Sequence, residues 1–138
     1  MKQSFVPGNY ALVVRRSSAG LGLYTKEPIK KGSCIIEYTG RVLTEEEEYT
    51  SKSRYLFSIT KNKTIDGWGK EGSKAKYINH SCVPNCEPEI HKGRVFIIAK
   101  RNIKEGEELS YDYGKEYVDE HIKPRGCRCS KHLKSAAS

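Results

Sequence analysis

Aliphatic clusters in this chain recur at strand length, and glycines fall between them. Ala11 to Val14 and Val95 to Ala99 suit strands better than buried helices. Ala11 to Arg15 and Ser33 to Tyr38 are expected strands, separated by Gly20, Gly22 and the Lys30, Lys31, Gly32 turn. Tyr55 to Thr60 and Thr64 to Ile65 flank a polar turn, and Glu89 to His91 should pair with Arg94 to Lys100 across Lys92 and Gly93. Thr44 followed by Glu45, Glu46 and Glu47 forms a capping box with acids in the first turn, so one short helix should start there. The pattern describes a mainly β domain.

At 138 residues the chain is long enough for one domain with a real core and no disulfide staples. Its net charge of +8 favours acidic partners, nucleic acid among them, yet the same charge serves many small domains as a solvated surface. No apolar run approaches membrane-spanning length, and the start Met1, Lys2, Gln3, Ser4, Phe5 is not a secretory signal. An intracellular protein is expected. Five cysteines without an export signal favour thiolate chemistry or metal binding over disulfides. Cys34, in the apolar run Ser33 to Ile36, is expected to be a buried free thiol.

Two stretches do not read as ordinary core. Asn79, His80, Ser81, Cys82, Val83, Pro84, Asn85 and Cys86 form a polar, cysteine-bearing turn, and later comes Gly106 to Gly114 with Tyr111 and Tyr113 two apart. Residues two apart on a strand share a face, so these tyrosines should line one wall of a polar pocket. Tyr38, Tyr55, Tyr77 and Tyr117 add to a tyrosine count of nine, and each buried hydroxyl needs a partner.

Other constellations are weaker. Gly20-Leu21-Gly22 allows close backbone approach to a ligand or a simple tight turn, but no third glycine and helix follow to make a dinucleotide fingerprint. Cys127-x-Cys129-x-x-His132 supplies three zinc donors and needs a fourth, for which Cys82 and Cys86 are candidates; two exposed tail thiols are the alternative. His80 beside Ser81 is too close in sequence for a hydrolase pair.

In this order, the motifs resemble the SET domain of protein-lysine methyltransferases. The resemblance runs from about Tyr10 to Cys129: the Gly20-Leu21-Gly22 turn, Glu37-Tyr38-Thr39-Gly40, Tyr55-Leu56-Phe57, Gly72 to Cys86, Gly106 to Gly114, and a short cysteine tail like a post-SET region. It implies small curved β-sheets, few short helices, and a knot-like crossing of the Asn79 to Cys86 segment with the chain after Glu107. The implied division is a SET domain over 1–117 and a post-SET-like tail over 118–138, with no cysteine-rich region before it, as in a stand-alone SET domain.

By the same resemblance, S-adenosylmethionine (SAM) would meet Ala19, Leu21, Tyr55, Lys76, Asn79 and His80, with Tyr117 packing on the adenine. Tyr113 would be the catalytic tyrosine, and Tyr38 and Tyr111 would line the lysine channel. A tyrosine rather than phenylalanine at 111 implies mono- or dimethylation. The chain departs from the family at Lys76 and Tyr77, where many members have arginine and phenylalanine, and at Lys134, where a third tail cysteine is usual. Zinc through Cys82, Cys127, Cys129 and His132 is the expectation that follows. The substrate would be a lysine-bearing protein, a histone tail above all, and a nuclear setting goes with it in a eukaryote. A catalytically silent module that binds basic peptides or nucleic acid, and a zinc-stabilised nucleic-acid binder, are the rival readings.

Overall fold

The computed structural model describes residues 3–18, 20–53, 55–60 and 63–114. Its first hairpin pairs β1 (Leu12–Ser17) with β2 (Gly20–Thr25), in register from Leu12 opposite Thr25 to Ser17 opposite Gly20. Gly20 has φ of 108°, a left-handed conformation that glycine adopts without steric cost. Gly20 and Gly22, expected to separate two strands, both lie within β2. Glycine has poor strand propensity, so this strand depends on its ladder with β1 and on burial of Leu23 and Thr25.

The expected strands at 33–38 and 94–100 form one three-stranded sheet, in which β9 (Arg94–Ala99) lies between β3 (Cys34–Tyr38) and β8 (Cys86–His91). After Arg94 every residue of β9 is buried, as befits the central strand. Lys92 and Gly93 close the β8–β9 hairpin with φ of 52° and 77°, the two left-handed positions of a tight primed turn. Pro88 is tolerated because β8 is an edge strand.

A second sheet has the order β4 (Arg41–Val42), β6 (Lys63–Asp66), β5 (Leu56–Thr60). Helix α1 (Glu45–Thr50) leads from β4 toward β5 and buries none of its residues. Its start is held by the expected capping box: the Glu47 N–H donates to Thr44 Oγ1 at 3.1 Å, and the Thr44 N–H donates to the Glu47 side chain at 3.0 Å.

A 3-10 turn over Lys74–Tyr77 delivers the chain to β7 (Asn79–His80), which pairs in parallel with β10 (Ser110–Tyr111). This is the expected meeting of the two polar segments. Asn85, buried, fastens it from one side: its Nδ2 donates to the Glu108 carbonyl at 2.9 Å, and its Oδ1 accepts from the Ser110 N–H at 2.9 Å. Leu23, Ile29, Ile35, Ile78, Ile97, Ile103 and Leu109 form the core beneath. Cys34 is a buried free thiol as expected, packed with Phe96 and Ile98.

Cys86 is fully buried, and burial pushes its thiol from 9.0 up to about 12. The unfolded chain would ionise there near 9, so this contribution to stability is present below pH 9 and fades as pH rises toward 12. Its full size is about 4 kcal/mol. Urea unfolding between pH 8 and pH 11 should therefore show a steeper fall of stability in wild type than in Cys86→Ala, and parallel curves would show that this thiol is not the titrating group.

Candidate active site

The β7–β10 pairing places His80 opposite Tyr111, and the tyrosines expected to share a strand face come together by another route. Strand β10 ends at Tyr111, and Tyr113 lies in the turn that follows, where the Gly114 N–H donates to Asp112 Oδ1 at 2.9 Å and Gly114 has φ of 97°. The Tyr111 and Tyr113 rings are nonetheless neighbours, with centroids 5.0 Å apart. Tyr113 is held at both ends. Its hydroxyl donates to the Ile78 carbonyl, and its backbone N–H donates to His80 Nδ1 at 3.1 Å.

That second bond sets the imidazole tautomer. With Nδ1 accepting, the proton of a neutral ring sits on Nε2, which lies 3.4 Å from Cys82 Sγ and donates toward it. Asp112 Oδ1 lies 3.8 Å from the same Nδ1. On the opposite wall the buried Tyr38 donates its hydroxyl to the Tyr55 carbonyl at 2.7 Å, and Phe57 lies between the Tyr38 and Tyr111 rings at 5.3 and 6.3 Å. Tyr38, Phe57, Tyr111 and Tyr113 thus form a continuous aromatic series leading to His80.

A second aromatic group stands beside it. Tyr55 stacks on Trp68 at 5.6 Å and meets Tyr77 edge-on at 6.0 Å, while Lys76 Nζ lies 5.7 Å from the Trp68 ring and 5.4 Å from that of Tyr77. The 67–72 loop that carries Trp68 requires glycine at its base, because a Cβ on Gly72 would run into the Gly67 carbonyl. Trp68 itself is 62% exposed.

Of the residues expected on the cofactor side, Leu21 meets Asn79 directly. Asn79 Nδ2 reaches the Leu21 carbonyl at 2.8 Å, Glu108 Oε2 at 2.8 Å and Ser17 Oγ at 3.0 Å, which ties the first hairpin to the β7–β10 crossing. Burial, and next the neighbouring Glu108 carboxylate, push the Tyr24 phenol above its ordinary range. Ala19, Tyr117, Cys127, Cys129 and His132 lie outside the described residues. Of the zinc candidates, Cys82 is partly exposed and Cys86 is buried. No metal-binding cluster of three or more His, Cys, Asp or Glu occurs among the described residues. A surface groove of about 700 Å³, lined by Phe5, His91, Arg94 and Phe96 among others, shares no residue with this tyrosine cluster.

Comparison with known protein families matches residues 20–114 to the SET domain. The chain belongs to the SET-domain family. It is similar to histone-lysine N-methyltransferase trr of Drosophila melanogaster, 43% identical over 92% of this chain and 6% of that protein. It is also similar to histone-lysine N-methyltransferase 2D of Homo sapiens, 35% identical over 88% of this chain and 2% of that protein. A third relative, histone-lysine N-methyltransferase, H3 lysine-4 specific, of Chaetomium globosum, is 43% identical over 67% of this chain and 10% of that protein. This SET domain therefore spans a small fraction of each of these relatives.

Sequence reasoning gave three residues of the site no role of their own. Phe57 stood only within the Tyr55-Leu56-Phe57 motif, Glu108 only within the Gly106 to Gly114 segment, and Trp68 carried no motif; only their contacts assign them. Tyr38→Phe in this SET domain removes one buried hydrogen bond while the Tyr55 carbonyl keeps its bond from the Gly67 N–H at 2.8 Å. It should lose about 1 kcal/mol of stability in urea unfolding followed through Trp68, the only tryptophan. A loss near zero would mean that the hydroxyl does not hold this wall in place.

Proposed function

We propose that this SET domain is a protein-lysine N-methyltransferase that uses SAM and acts on a histone tail or similar lysine-bearing segment. The observation that carries the proposal is the crossing itself, which brings Tyr113, with its hydroxyl hydrogen committed to Ile78, against the Asn79-His80 pair. With that hydrogen engaged, Tyr113 has oxygen lone pairs to accept from an amine. The printed names of the relatives, histone-lysine N-methyltransferases, support the same substrate class.

When bound, SAM supplies a methyl group on a sulfonium, which a neutral amine can take by in-line displacement. The side chains suit that demand. A lysine ammonium with an ordinary pKa near 10.4 costs about 4 to 5 kcal/mol to present neutral at pH 7. A channel walled by Tyr38, Phe57 and Tyr111 disfavours the charged form and lowers that cost. Fixing both reactants in line accounts for much of the remaining acceleration. Leu21, Tyr55, Lys76, Asn79 and His80, with Ala19 and Tyr117, are the residues we assign to the cofactor. The Asn79 amide, tied into the hairpin, and the aromatic group at Tyr55 give such a molecule polar and stacking partners.

Histone tails are basic, so a domain of net charge +8 needs local acidity to receive one. The first turn of α1, Glu45 to Glu48, supplies it among the described residues, and Asp119 and Glu120 would add to it. A chromatin setting in the nucleus follows if the source is a eukaryote. We also assign the 118–138 tail to zinc through Cys127, Cys129 and His132 with Cys82. The N–H of His80 aimed at Cys82 Sγ would stabilise a thiolate there. Metal analysis of tag-free protein should find about one zinc per chain, falling sharply in Cys82→Ser; a zinc content far below that in wild type would count decisively against the assignment.

Labelled SAM, histones and a cell extract test the activity. Tyr113→Phe should reduce methyl transfer about 100-fold or more while SAM still binds, and equal labelling by wild type and variant would defeat the assigned role. Tyr111→Phe should shift the product toward higher methylation by removing a hydroxyl beside the amine, read by mass spectrometry; a wild type that already yields mainly trimethyl-lysine would overturn that reading. Absence of SAM binding together with strongly salt-dependent DNA binding would favour the nucleic-acid reading instead.

A further inference from the structure

Three residues on two strands converge on the carboxylate of Glu108. Its Oε2 accepts from Asn79 Nδ2 at 2.8 Å, the Tyr24 hydroxyl lies 3.5 Å from its Oε1, and a Cβ at Gly22 would run into the same carboxylate. The backbone of Glu108 is also pinned, by an antiparallel bridge to Tyr24 and by the bond from Asn85 Nδ2 to its carbonyl at 2.9 Å. Its side chain therefore leaves from a fixed origin into space that only a glycine at 22 leaves open.

The partner of this carboxylate is chemically asymmetric. Asn79 Nδ2 has two hydrogens and faces three acceptors: the Leu21 carbonyl, Glu108 Oε2 and Ser17 Oγ. Turning the amide over would set its Oδ1 against a carbonyl and a carboxylate, so this orientation is strongly preferred. Oδ1 makes no hydrogen bond among the described residues. What the fold offers a ligand at Asn79 is thus an acceptor oxygen with negative charge behind it.

We propose that Glu108 is a positioning residue that orients the Asn79 amide for the cofactor's cationic amino group, and that position 22 is glycine because this carboxylate occupies its side-chain space. The inference rests on the SAM reading of the site. An ammonium donates hydrogen bonds and carries positive charge, and both features match an acceptor oxygen beside a carboxylate.

Binding of SAM, S-adenosylhomocysteine and 5′-methylthioadenosine to the full chain tests this, since the second lacks the sulfonium charge and the third lacks both that charge and the amino-acid portion. Glu108→Ala should weaken SAM and S-adenosylhomocysteine alike, by about tenfold or more, and change methylthioadenosine less than about twofold. Glu108→Gln, which keeps an acceptor oxygen, should fall between. Gly22→Ala should reproduce the loss in wild type and add almost nothing in the Glu108→Ala background, because the group it displaces is gone. Equal SAM affinity in wild type and Glu108→Ala would overturn the positioning role. So would equal loss for all three ligands, which marks a general collapse of the pocket, and loss for SAM alone would reject the amino group as the contact. A wild-type chain that binds no SAM would instead overturn the cofactor reading itself.

Discussion

The parallel pairing of Asn79–His80 with Ser110–Tyr111 is the constraint on which the rest of the site depends. Two short strands separated by about thirty residues gain little from their own hydrogen bonds, and closing that loop carries an entropy cost. The pairing is held from beneath by the buried side chains of Ile78 and Leu109 and from the side by the Asn85 clamp. Once it forms, Tyr111 and Tyr113 are carried to His80, and Glu108 to Asn79.

Most polar groups at the crossing are used twice. Asn79 links the first hairpin to Glu108, and His80 accepts from the Tyr113 backbone while its other nitrogen addresses Cys82. Shared partners of this kind couple residues energetically, so substitutions here should not act independently. The tyrosine hydroxyls of 38 and 113 donate their hydrogens to backbone carbonyls, and the Asn79 amide spends its donors within the protein.

Much of the fold was legible in local sequence. The Thr44–Glu47 capping box and the Lys92-Gly93 turn appear where the residues indicated, because both are short-range devices whose partners are three residues apart or adjacent. Strand β2 was not legible, since two glycines suppress the strand signal and its ladder comes from β1. Tyr111 and Tyr113 were correctly paired, but through a turn at Asp112 to Gly114 rather than strand alternation, and that turn depends on a side-chain bond no periodicity reveals.

By itself, the order of motifs determined the family and the mainly β character, because hydrophobic spacing, glycine turns and caps are written in neighbouring residues. The tyrosines and the Asn79-His80 pair were visible in the same way. Tertiary structure alone decided that Glu108 rather than Glu107 faces Asn79. Glu107 turns instead to Arg101, whose guanidinium holds its carboxyl below the ordinary range. Adjacent acids in a polar turn carry the same local signal, and only contacts across the chain distinguish the one that meets the pocket from the one that meets the surface.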